Sequence, residues 1–541
     1  MAHPNILLIM TDQERYPPPY ETEAARGYRR ARLPGRERLR ESGLELHRHY
    51  VASTACVPSR ASLFTGQYPS LHGVRQTDGL AKSAYDPAMM WLDPDAVPTM
   101  GDWFRAAGYR TEYRGKWHIS HPDLPVAGSH EGLRTNDRDG NLRPDIVESY
   151  MRANRLDPYG FAGWVGREPH GADPSDTGYV RDDLFADQIS ELFTTLAADR
   201  SSPWLAVASL VNPHDIAFSG FGWQLLGFPD PDDSVPDPGE APSQTDSFAG
   251  RPRCQDEFST AWHAMLYEQP IDAAYRRFYL WLHELVDRAI ARIVDALDTS
   301  GMMDETIVVF TSDHGDLLGA HGGLQQKWYN AFDEAVRVPL IVCGPGIPSG
   351  GSGINTPTSH VDILPTLLGF AGVDIEHLAQ VVAEPHYETQ PLVGRDLSSA
   401  ITDGRDDAFE RAPVYFMTED QISRGLNTAN RLTREPYDPV AEPANVESVI
   451  AAVTNDDGGH DLWKLNHYYQ RLPDWEAVVG ITPRLDTEDP APSEWELHNL
   501  TADPEERTNL AMNDAAPIDR MRALLVAARD AHRRAPRVTN A

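Results

Sequence analysis

Four short apolar runs constrain the fold of this chain more than any other feature: Asn5–Met10, Trp204–Val211, Thr306–Thr311 and Val338–Cys343. Each has the length of one strand, and segments of helical spacing separate them. Alternation of that kind predicts an α/β fold with a large, mostly parallel sheet flanked by helices. The predicted helices are Met100–Ala107, Asp183–Ala197, Tyr275–Leu297 and Val361–Ala371. Thr99 is the expected N-cap of the first, and Gly108 its C′ residue. Residues 120–180 and 217–270 are rich in Pro, Gly and Asp and read as insertions or surface loops. After about residue 420 the pattern changes. Val449–Val453, Leu462–Leu465 and Trp495–Leu500 read as strands and Ile518–Arg533 as a closing helix. The expected division is a catalytic domain over 1–420 and a C-terminal α+β subdomain, an antiparallel sheet plus a helix, over 421–541.

A parallel sheet presents ligands at the carboxyl ends of its strands. Polar clusters stand at those ends here: Thr11-Asp12-Gln13, Asn212-Pro213-His214-Asp215, and Ser312-Asp313-His314-Gly315-Asp316. Two strand-ending aspartates with a neighbouring histidine suit an oxygen-rich divalent cation site. Gly115-Lys116-Trp117-His118 follows the strand-like Tyr109–Tyr113, and Lys and His two apart on an extended segment face the same way. His321 and Lys327 follow the Asp313 cluster, and His321 reads as structural.

Composition narrows the partners. The 541 residues carry a formal net charge of −33, which disfavours nucleic acid and anionic membranes. No run of 18 apolar residues exists to span a membrane, and the opening residues lack a basic, cleavable leader, so a cytoplasmic location is expected. The 3 cysteines, Cys56, Cys254 and Cys343, are too few and scattered for a disulfide framework or a zinc cluster. Lysine occurs only at 82, 116, 327 and 464, and two of these positions lie in the motifs above.

Cys56 has a chemical setting. It opens Cys56-Val57-Pro58-Ser59-Arg60-Ala61-Ser62-Leu63-Phe64-Thr65-Gly66, with Pro58 in the first turn of a helix and Gly66 at its stop. A helix N-terminus attracts an anion, and Arg60 adds a bidentate clamp for its oxygens. Cys-x-Pro-Ser-Arg with Thr65-Gly66 and Gly73 resembles the signature of the type I sulfatases of the alkaline phosphatase superfamily. The other clusters fall in the same order as that family's motifs. Residues 5–373 carry the resemblance, which resumes near the C-terminus.

The resemblance implies hydrolysis of sulfate monoesters, aryl or small alkyl, to alcohol and sulfate. A formylglycine made from Cys56 by a formylglycine-generating enzyme would act as its hydrate, through a covalent sulfo-enzyme. The implied cation ligands are Asp12, Gln13, Asp313, His314 and the side chain at 56. Ca²⁺ is the first expectation, with Mn²⁺ and Mg²⁺ as alternatives. Arg60, Lys116, His214 and Lys327 would bind the sulfate, His214 with Lys327 would protonate the alcohol, and His118 would act as base when sulfate is expelled. Gln13 and His314 depart from the usual Asp and Asn and resemble the phosphonate monoester hydrolases. Lys116 and His118 resemble the sulfatases, since the phosphonate enzymes carry hydroxyl residues there. The alternatives are therefore a phosphonate or phosphate ester hydrolase of the same superfamily, or a non-catalytic anion-binding protein if Cys56 stays a thiol. Trp223, Tyr113 and Trp328 are candidates for contacts with the alcohol. The C-terminal segment is compatible with a homo-oligomer.

Overall fold

A computed structural model describes residues 3–350, 353–408, 411–455, 458–470, 493–512 and 517–536. Its main sheet has 7 strands in the order Arg110–Gly115, Trp204–Pro213, Asn5–Asp12, Thr306–Ser312, Leu340–Cys343, Gly43–Leu46 and Gly353–Ile354. The first four run parallel. The Leu340–Cys343 strand is antiparallel to Thr306–Ser312. The central Asn5–Asp12 strand is buried almost throughout, because helices cover both faces of the sheet. Gly178–Ala198 and Ala273–Thr299 pack on one face, with Phe185, Ile189, Ile290 and Ile293 beneath them. Cys56–Thr65, Met100–Ala106 and Ile363–Phe370 contribute to the core on the other.

Local chemistry explains the element ends. Thr99 and Asp102 form a reciprocal capping box on the Met100–Ala106 helix, and Gly108 follows it at φ 85°. Pro365 sits in the first turn of Ile363–Phe370, where its missing N–H costs nothing. Three expectations need correction. The run Val338–Cys343 is not one strand. Pro339 interrupts it, and Arg337–Val338 pairs instead with His49–Tyr50 in a second, 3-stranded sheet. Residues 120–180 and 217–270 are not all loop, because they contain the Pro144–Ala153 and Arg253–Met265 helices. Their polar, Pro-punctuated sequences hide the helical period. The helix expected at Asp183 begins at Gly178.

The C-terminal antiparallel sheet has 4 strands, Val414–Thr418, Asn445–Thr454, His460–Tyr469 and Glu494–Asn499, with Ile518–His532 packed on it. Val414–Thr418 joins this sheet from before residue 421 and reaches back to the body, where Met417 N donates to Ala52 O at 3.0 Å.

Candidate active site

The Cys56–Thr65 helix is buried over its whole length and ends at Gly66, whose φ of 63° needs no Cβ. Its N-cap, Ala55, offers no side-chain acceptor, so the first-turn amides keep their capacity for an anion. The hydroxyl of Thr418, from the C-terminal sheet, donates to Thr54 O just before it. The hydroxyl of Ser59 donates to Asp313 O and ties the helix to the end of the Thr306–Ser312 strand.

Arg60 lies at the middle of the cluster, fully buried. Its Nη2 donates to Asp12 Oδ2 at 3.0 Å and its Nε to Asp313 Oδ2 at 2.8 Å. Its Nη1 donates to Lys116 O and Ser209 Oγ, both at 2.8 Å. The expected oxyanion clamp is therefore not what this side chain forms. Four of its five N–H donors are taken by protein acceptors, and it holds together the ends of four strands.

The other carboxylate oxygens, Asp12 Oδ1 and Asp313 Oδ1, face Cys56 and His314. Cys56 Sγ is 3.0 Å from His314 Nε2 and 3.7 Å from Asp12 Oδ1. His314 Nε2 is 3.8 Å from Asp12 Oδ1 and 3.7 Å from Asp313 Oδ1. Ligands of one ion at about 2.3–2.6 Å stand apart by similar spacings. Two carboxylates and an imidazole fit a divalent cation in a closed, buried position. The thiol fits less well. Burial, and then Asp12, push it up to about 12, so at neutral pH it is a protonated, soft donor. An oxygen at that position would suit a hard cation better.

Burial alone would raise Asp12, but Lys116, His214 and Arg60 reverse the effect and hold it well below the usual carboxylate range. Burial and Asp12 together push Asp313 up to about 6. Burial and Lys327 hold His314 well below its ordinary value, so its ring is neutral and free to ligate.

Gln13, expected among the ligands, has its amide placed elsewhere. Its Oε1 accepts from Lys327 Nζ at 2.7 Å, and its Nε2 donates to Asp316 Oδ2 at 2.5 Å and Gln326 Oε1 at 3.0 Å. Its contribution to the cluster is a backbone amide, 3.0 Å from Asp313 Oδ1. Its φ of 70° turns the chain sharply at the end of the strand.

Lys116 Nζ is 2.7 Å from Asp12 Oδ2. The turn that delivers it depends on Gly115 at φ 104°, where a Cβ would lie 1.8 Å from Ser209 O. Lys327 is buried against the Trp328 ring, 4.6 Å from its centroid, and has no carboxylate partner among the described residues. His214 opens a short 3-10 turn after the Trp204–Pro213 strand and lies in the field of Lys116, Asp12 and Lys327. His118, at φ 58°, donates from Nε2 to Asp78 Oδ1 at 2.8 Å.

Two neighbours were invisible to sequence reasoning. Asp78 sits between His118 and His170, whose Nε2 is 3.6 Å from Asp78 Oδ2, and the two rings are 4.4 Å apart. His170 also feels Lys116, Asp12 and Lys327. Thr77-Asp78-Gly79 and Glu168-Pro169-His170 match no motif and follow no strand. Of the aromatic candidates, Tyr113 and Trp223 are core residues, and Trp328 donates its Nε1 to Asp420 at 2.9 Å. His321 is structural, stacked on Phe332 and bonded to Glu334 at 3.0 Å.

Comparisons with known proteins identify the family. The sulfatase family model matches residues 4–373. The choline-sulfatase of Rhizobium meliloti (strain 1021) is 28% identical over 389 residues, covering 69% of each chain. The solved structure of a 2-O GAG sulfatase superposes with a TM-score of 0.61 at 18% identity, covering 98% of this chain and 92% of that one. The phosphonate monoester hydrolase of Silicibacter pomeroyi does so at 0.59 and 20%, covering 98% and 96%. At those identities the two structures speak for the fold. The family model spans well over half of the chain and takes in each of the clusters described above, and on that ground this protein belongs to the sulfatase family.

Proposed function

We propose that this sulfatase hydrolyses monoesters of small alcohols, aryl or alkyl, with residue 56 as an oxidised nucleophile. The observation that carries the reading is one buried point at which Cys56 meets Asp12, Asp313 and His314 while Lys116, Lys327 and His214 face the same space. Asp12, Asp313, His314 and the side chain at 56 would hold one divalent cation, which supplies charge neutralisation and hydroxyl acidification when bound. Formylglycine at 56 would supply, as its hydrate, one hydroxyl for attack and a second for release of sulfate.

The chain's own groups do the rest. Lys116, Lys327 and the first-turn amides of the Cys56–Thr65 helix are fixed donors for the sulfate oxygens, already desolvated before substrate arrives. They overcome the repulsion of an anion by a chain of net charge −33. His214 is held neutral by burial and by Lys116, so it serves the departing oxygen as a hydrogen-bond donor beside the Lys327 ammonium. His118 is held down to about 3 by burial and His170. It is therefore a neutral ring near pH 7, and with Nε2 engaged by Asp78 its Nδ1 is the proton acceptor.

Peptide mass spectrometry across Cys56, on protein made together with a formylglycine-generating enzyme, tests this reading alongside turnover of 4-nitrophenyl sulfate. An aldehyde at 56 with multiple turnovers is the expected result. Sustained turnover by unmodified thiol overturns it. His314 at the cation site favours a second reading, phosphonate ester hydrolysis, and the ratio of kcat/KM for an aryl sulfate and an aryl phosphonate decides between them.

A further inference from the structure

Beside the candidate centre lies a cavity of about 250 Å³ whose wall includes Asp78, Trp91, His118, Asp123, Glu168 and His170. It adjoins the sulfate position through its two histidines. His118 follows Lys116 by two residues, and His170 lies in the field of Lys116, Asp12 and Lys327. An ester anchored by those lysines would direct its alcohol into this space.

The charges on the wall are only partly balanced. Asp173 and Asp176 meet Arg167 at 2.8 and 2.7 Å, and Asp78 faces the two histidines. Asp123 and Glu168 have no ion pair within 4.0 Å among the described residues. Glu168 Oε1 accepts from Trp117 N at 3.1 Å, and Asp123 Oδ1 accepts from Glu168 N at 2.9 Å. Burial and the nearby Asp123 push Glu168 up to about 8, as expected for a carboxyl group lacking a cation. His118 Nδ1, in a side chain 2% exposed, has no hydrogen-bond partner among the described residues. Trp91 adds a partly exposed aromatic face, its ring 6.2 Å from that of His118.

We infer that this cavity is the alcohol subsite, and that it selects small sulfate esters whose alcohol carries hydrogen-bond donors, an ammonium group or hydroxyls, over purely hydrocarbon ones. The inference rests on the sulfate ester reading and adds the substrate class to it. Donors would reach the carboxyl oxygens of Asp123 and Glu168, which among the described residues have no cation, whereas a hydrocarbon would desolvate them and give nothing back. Sites built to pair a substrate's polar group reject an analogue lacking it far more strongly than apolar pockets reject a size change. The size of the cavity, at the small end for ligand sites, limits the alcohol to one ring or a short chain.

The test uses two near-isosteric pairs with the matured enzyme: 2-aminoethyl sulfate against n-propyl sulfate, and glucose 6-sulfate against cyclohexylmethyl sulfate. We expect kcat/KM to favour the donor-bearing member of at least one pair by about tenfold or more. The pair that responds identifies ammonium or hydroxyl as the donor. Glu168→Gln and Asp123→Asn, which keep shape, should shrink that preference. A preference below about tenfold in both pairs, or one unchanged in both variants, overturns the subsite. If neither these esters nor 4-nitrophenyl sulfate turn over, the sulfate ester reading fails first and the subsite with it. The wild-type ratios decide the matter even if a variant does not fold.

Discussion

The chain has only the lysines at 82, 116, 327 and 464, and all of them are buried. Lys464 and Lys327 form the sharpest contrast among them, while Lys116 is paired with Asp12 Oδ2 at 2.7 Å and borders the centre as well. Lys464, on the C-terminal sheet, is surrounded by Asp333 Oδ1 at 2.6 Å, Glu506 Oε1 at 2.9 Å and Ala331 O at 2.9 Å. It pins that sheet to the body, as Lys82 does through Gln421 O and Arg424 O. Lys327, in the catalytic body, reaches only the neutral oxygens of Gln13 and Gln326 among the described residues. A buried cation with its charge matched is a fastener. A buried cation whose charge is left unmatched is poised for an anion that the protein does not itself supply. The same contrast holds for arginine. Arg60 looks catalytic by motif, yet four of its five N–H donors are engaged by protein oxygens, which makes it the frame on which Asp12 and Asp313 are aimed.

The most severe test removes the side chain proposed as the nucleophile. Cys56→Ala should lower kcat for a sulfate ester by on the order of 10⁴-fold or more, with the cooperative unfolding transition retained. Chelation with EDTA should likewise abolish turnover, and adding back Ca²⁺ or Mn²⁺ should restore it; undiminished turnover in EDTA would remove the cation from the centre. The lysine pair gives the sharpest comparison. Lys464→Met leaves Asp333 and Glu506 buried without their cation, so denaturant unfolding should show a loss of about 3–5 kcal/mol. Lys327→Met should instead cut kcat/KM by roughly 10²–10³-fold at nearly unchanged stability. Exchanged outcomes would break the distinction between fastener and anion site.

The smallest effect concerns acid. Burial would raise Glu447, but His467 and Arg529 outweigh it and hold the group down to about 2 from its ordinary 4.5. His467 Nδ1 lies 2.8 Å away, and Arg529 on the last helix donates its Nε at 3.0 Å. A depressed carboxyl group stabilises the fold above about pH 4.5 and loses that contribution as pH falls towards 2. Titration across this window should weaken wild-type stability by up to about 3 kcal/mol more than that of Glu447→Gln. Parallel acid curves for the two proteins would place the effect elsewhere.

Much of the body was legible because its signals are local. A buried strand must be apolar along its length, and the polar residues where it stops are conspicuous, so Asp12, His214 and Asp313 could be singled out from their positions alone. Cys56 carried its own helix start and stop in Pro58 and Gly66. The Pro144–Ala153 and Arg253–Met265 helices were not legible, since their polar faces and flanking prolines mask the period. Asp78 and His170 sit in irregular segments, so no period marks them, and they meet His118 only through folding.

Residue order by itself determined the parallel strands, the helix that Cys56 opens and the family to which the chain belongs, because each depends on patterns within a few turns of backbone. Tertiary structure alone decided which charges end up matched. Whether an arginine grips a ligand or a carboxylate, and whether a lysine is a fastener or an open site, depends on partners 50 to 300 residues away, and electrostatic energy in a dry interior is set by those distances in space.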